Sequence, residues 1–123
     1  MLSETIATDR PLSTRESELV AWLLAQAGNP AELHGQVPDL RVVQVCGCGC
    51  ASVDFVVAGR APARGSGLLQ VGPECYWGSR DSGLFAVFLF QREGLLAGLD
   101  VYSVDGSATP TALPDIDTLR FHC

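Results

Sequence analysis

A chain of 123 residues with 47% apolar content can build one domain with its own core. Eight scattered arginines, no lysine and a net charge of −6 leave no basic stripe, which excludes a duplex-binding footprint. No apolar run approaches the roughly 20 residues of a membrane span.

The start, "MLSETIATDRPLS", carries Glu4 and Asp9 and no positive segment before an apolar one. It does not read as a secretory signal, so a cytoplasmic location is expected. The lack of lysine beside abundant Ala, Gly, Arg and Val points to a GC-rich bacterial genome. Cys46, Cys48, Cys50, Cys75 and Cys123 make an odd set without a secretion signal, which favours reduced thiols over a disulfide framework.

Residues 1–12 are polar and aperiodic and are expected to form a flexible arm. Ser13 with Glu16 three positions on is a capping box. Leu19, Trp22 and Leu23 then recur at helical spacing, beside Val20, Leu24 and Ala27. Gly28 supplies a stop and Pro30 prevents continuation, after which "PAELHGQ" suits a short second helix.

Past Pro38 the period changes to that of strands. "LRVVQVC" (Leu40 to Cys46) and "SVDFVVA" (Ser52 to Ala58) are rich in β-branched residues, and "GRAPARGSG" is a loop. "LLQVGPECYW" (Leu68 to Trp77) predicts a third strand, broken or bulged at Gly72–Pro73 because proline donates nothing to a ladder. "LFAVFLFQ" (Leu84 to Gln91) and "LLAGLDVYSV" (Leu95 to Val104) form a hairpin across a short glycine-containing turn. The order predicts an α+β domain over residues 13–123: an N-terminal helix packed on a roughly five-stranded, largely antiparallel meander sheet.

"VCGCGCASVDF" (Val45 to Phe55) carries the most distinctive chemistry. As one continuous strand, Val42 to Val57 would align Cys46, Cys48, Cys50, Ser52 and Asp54 on one face, but sixteen residues far exceed the usual strand of about 5–6. A hairpin reversing through "GCGC" is the better reading, with Gly47 and Gly49 at positive-φ turn positions. Zinc sites favour pairs spaced two to four apart and usually two such pairs. Here the spacing is one, and His34, Cys75 or His122 could add a ligand only through the fold. The expectation is therefore metal-free thiols packing at a tight turn. A metal-binding or redox-linked role for Cys46, Cys48 and Cys50 is the alternative.

The element "RVVQVCGCGCASVDF", with "GLLAGLDVYSVDG" downstream and a late "LP", resembles a family of small bacterial proteins of unknown function. That family's pattern runs through an N-terminal helix, an Arg–Val strand, a Cys-x-Cys-Gly-Cys-x-Ser element followed by a carboxylate, and a late strand ending in Val-Tyr. The resemblance covers about residues 14–119. Many relatives carry Pro where Ala51 stands, which fits a turn. It implies no activity.

No Gly-x-Ser-x-Gly, Walker, Rossmann or His-Glu-x-x-His pattern occurs, and "RGSGLL" (Arg64 to Leu69) precedes a strand rather than a helix. His34 and His122 have no nucleophile motif beside them. Asp54 and Asp100 are carboxylates inside apolar strands, and Tyr102 shares a face with Asp100, giving a candidate polar binding patch. With no catalytic constellation, no cofactor is expected. The first expectation is a non-enzymatic interaction module with a protein partner, not nucleic acid or membrane.

Overall fold

The computed structural model describes residues 5–61, 67–79, 81–106 and 108–121. It is an α+β domain built on one antiparallel sheet of six strands. In chain order these are β1 (Thr5–Pro11), β2 (Leu40–Cys46), β3 (Val53–Val57), β4 (Leu69–Ser79), β5 (Gly83–Arg92) and β6 (Leu95–Ser103), with helices α1 (Thr14–Gln26) and α2 (Ala31–His34) between β1 and β2.

Two expectations are corrected. The sheet has six strands, not five, because Thr5–Pro11 lies where an arm was expected and pairs antiparallel with β2. The order is also not a simple meander. It runs β1-β2-β3-β6-β5-β4, two three-stranded meanders joined where β3 meets β6. A plain meander would seat β4 beside β3. Instead β4 lies at the far edge, beside β5; residues 62–66 of the expected loop between β3 and β4 lie outside the described residues.

Local signals explain the elements that the sequence predicts. Ser13 caps α1 as a complete capping box: its hydroxyl accepts from Glu16 N–H at 3.1 Å, and the Glu16 carboxylate accepts from Ser13 N–H at 2.8 Å. Gly28, at φ +86°, follows the last turn. The β5–β6 turn is Glu93–Gly94, both at positive φ, as a two-residue hairpin matching the right-handed twist of its strands requires. β4 is bulged between Val71 and Cys75, around Gly72–Pro73.

The core lies on one face of the sheet. Leu19, Val20, Leu23 and Leu24 of α1 pack on Val42, Phe55, Val87, Leu89, Leu99 and Val101. Trp22 is half-buried beside them and stacks on Phe121 with centroids 6.1 Å apart. The tail closes the same side. Leu113, Ile116 and Leu119 pack against the core, and Arg120 forms a two-bond bridge with Tyr76 on β4.

Residues of β5 and β6 that alternate with this core turn to the other face: Ala86 opposite Tyr102, Phe88 opposite Asp100, and Phe90 opposite Gly98. Gly98 is what lets the Phe90 ring cross β6. A Cβ there would stand 2.6 Å from Phe90 Cζ and 2.4 Å from the Val53 carbonyl oxygen. Since the second of these is backbone, Gly98→Ala is expected to cost about 2–3 kcal/mol through overpacking, read as a lower denaturation midpoint. An unchanged midpoint would contradict the close β3–β6 approach.

Candidate metal centre

The β2–β3 connection is a turn, as the glycines suggest, but only one of them bends the chain in the expected way. Gly49 has φ +89°, with open space around it; Gly47 is not at positive φ. Gly49 N–H donates to the Cys46 carbonyl, and Cys50 N–H donates to Cys48 Sγ at 3.4 Å. This tight reversal turns three alternating cysteines inward on one another. Their sulfur atoms all lie within 4.8 Å of each other, and Cys46 Sγ and Cys48 Sγ are hydrogen-bonded at 2.8 Å, either thiol able to donate. None of the three is in a disulfide.

The turn is held from two sides. Ser52 Oγ accepts from Val101 N–H at 2.8 Å and donates to the Val101 carbonyl at 3.0 Å, tying the hairpin to β6. Ala51 N–H donates to the Pro110 carbonyl at 2.8 Å, tying it to the tail. The thiols therefore sit on a braced loop rather than a free tip.

Burial separates these cysteines from Cys75. Cys75 is fully buried in the core, where desolvation and the neighbouring Glu74 charge push its thiol up to about 11. It is a packing residue, and it stands apart from the three clustered thiols. Cys48 is exposed, and Cys46 and Cys50 are half-buried, so packing alone gives this trio little to contribute. Burial pushes the Cys50 thiol up to about 11. His34 lies in α2 and is not in the cluster. His122 and Cys123 fall outside the described residues.

The structure also joins two features that were separate in the sequence. Cys46, Cys48 and Cys50 line a cleft of about 260 Å³ together with Ser52, Asp54 and Asp100. Asp54 and Asp100 are half-buried. Desolvation raises the Asp54 carboxyl above its ordinary value; the Arg92 charge opposes this and the Asp100 charge reinforces it. Desolvation likewise raises Asp100, against the lowering effect of Ser52. Tyr102, the third member of the expected patch, is exposed on the same strand face as Asp100.

A larger cleft of about 560 Å³, which Cys50 also lines, is bordered by Arg10, Arg15, Glu16 and Asp115 among others. Its charges are matched in pairs. Arg10 grips Glu16 with two bonds at 2.7 and 2.9 Å, and Arg15 pairs with Asp115. Of these two clefts, the acidic, thiol-lined one is better suited to a cation. Among the described residues, no helix is long and apolar enough to cross a membrane. No protein-family model, curated protein or solved structure matches the chain.

Proposed function

We propose that this protein binds a soft, thiophilic metal ion through Cys46, Cys48 and Cys50. The observation that carries the reading is the convergence of three sulfur atoms within 4.8 Å on one braced turn. A metal–sulfur bond of about 2.3 Å puts three coordinating sulfurs roughly 3.8–4.0 Å apart, so the site needs only a modest opening of the Cys46–Cys48 contact. Structural zinc takes four ligands, whereas three thiolates satisfy monovalent copper, which makes the latter the better match. Asp54 and Asp100 in the same cleft add negative potential that favours any cation.

Metal uptake must displace thiol protons. With Cys50 pushed up to about 11, its proton is held at neutral pH, so apparent affinity should rise with pH between about 6 and 9. The test is anaerobic titration of the reduced full chain with copper(I) buffered by a colorimetric chelator. One equivalent is expected to be retained. Cys48→Ser should weaken retention by more than the roughly 10–100-fold typical of losing an outer partner, because a direct ligand is gone. A parent that retains no metal, or a Cys48→Ser chain that retains as much as the parent, would refute the reading.

A further inference from the structure

The face of the sheet opposite α1 carries a second arrangement. On it, aromatic rings and carboxylates alternate across neighbouring strands. One row reads Phe90 on β5, Gly98 on β6 and Asp54 on β3. The chain places its own cation in that row: the Arg92 guanidinium lies 5.7 Å from the Phe90 ring centre, and its charge draws the Asp54 carboxyl downward. The adjacent row repeats the chemistry. Phe88 on β5 stands opposite Asp100 on β6, with Phe90 6.1 Å to one side and exposed Tyr102 two residues along β6. Phe88 also faces the β4 bulge that holds Glu74, whose Oε1 is shut from solvent without a hydrogen-bond partner. Among the described residues, no arginine pairs with Asp100; its contact is the Ser52 hydroxyl at 3.4 Å.

We propose that this face is a docking surface for a basic protein segment, which lays an arginine over Phe88 against Asp100 as Arg92 lies over Phe90 beside Asp54. Arginine fits better than lysine because a planar guanidinium both stacks on a ring and forks onto a carboxylate. A chain of net charge −6 steers such a segment toward it. The surface adjoins the thiol centre, because Asp54 and Asp100 also line that cleft, but the two binding chemistries are separate: the three sulfurs form a ligand set without either aspartate.

The experiment is an amide NMR titration of the full chain with a short acetylated peptide of alternating glycine and arginine. A counterpart carrying citrulline in place of arginine keeps the shape and removes the charge. Shifts are expected to gather on Phe88, Asp100 and Tyr102 with the arginine peptide alone. Asp100→Asn should weaken binding by about fivefold or more, and Phe88→Leu by a similar factor through loss of the ring face. Glu18→Gln, an exposed charge on α1, should change nothing. A chain with Cys46, Cys48 and Cys50 all changed to serine should bind as the parent does. Equal weakening by Glu18→Gln would mean general electrostatics, and loss of binding in the serine chain would place the peptide at the thiols. Equal binding of the citrulline peptide, or shifts on this face that grow with protein concentration alone, would point to a different occupant. Any of these four results overturns the proposal.

Discussion

Leu89→Asp is expected to abolish folding, while Phe88→Asp, one residue earlier, leaves a folded chain. The two side chains leave β5 on opposite faces of the sheet. Leu89 is fully buried between Val71 on β4 and Leu99 on β6, inside the cluster that α1 covers. Replacing it forfeits about 2–5 kcal/mol of packing and adds the several kcal/mol of burying a carboxyl without a partner. Together these rival the roughly 5–15 kcal/mol that holds a typical domain together. Phe88 is half-buried on the open face, where a new carboxylate keeps contact with water. Its cost, including repulsion from Asp100 opposite, is about 1–2 kcal/mol. Amide dispersion in a proton–nitrogen correlation spectrum separates the outcomes. Two folded variants, or two unfolded ones, would mean that the alternation along β5 is misassigned.

Glu16→Ala is expected to destabilise the chain by about 2–3 kcal/mol, with Glu16→Gln near half of that. Glu16 does two jobs from one buried carboxylate. It accepts the Ser13 N–H that closes the capping box, and it receives both terminal nitrogens of Arg10 from β1. Alanine removes both, whereas glutamine keeps an acceptor for the cap. The loss is bounded because the Arg10 side chain is 39% exposed and regains water when its partner goes.

The pH dependence follows from the same contacts. Burial alone would raise the Glu16 carboxyl, but hydrogen bonds from Arg10 and Ser13 outweigh it and leave it below its ordinary 4.5. A carboxyl lowered in the folded state stabilises fully above its unfolded value, and that stability is lost as pH falls through the folded value. The gap in melting temperature between parent and Glu16→Gln should therefore be widest near pH 7 and shrink as the pH is taken below about 4. A gap that stays constant down to pH 3 would show that the ion pair contributes nothing.

Signals that act within a few residues were legible in the amino-acid sequence. The Ser13–Glu16 box and Gly28 bound α1, and β-branched or aromatic runs between glycine turns mark β2, β3, β5 and β6 to within a residue or two. The Gly72–Pro73 interruption likewise foretells the β4 bulge, because proline's missing N–H is a local fact. β1 escaped for a physical reason. An edge strand has one neighbour and no need of an apolar face, so Thr5–Pro11 is held by backbone bonds to β2 and by Asp9–Arg41 and Arg10–Glu16 pairs that no periodicity announces. The β3–β6 junction was also invisible, since strand order depends on which distant apolar faces meet beneath α1. That junction decides the site. Alternation along the chain could set Cys46, Cys48, Cys50, Ser52 and Asp54 in sequence, but only the seating of β3 against β6 brings Asp100 to the same cleft and lets Ser52 brace the turn. The turn's own backbone bonds gather the thiols, while Asp100 joins their cleft only through the tertiary structure.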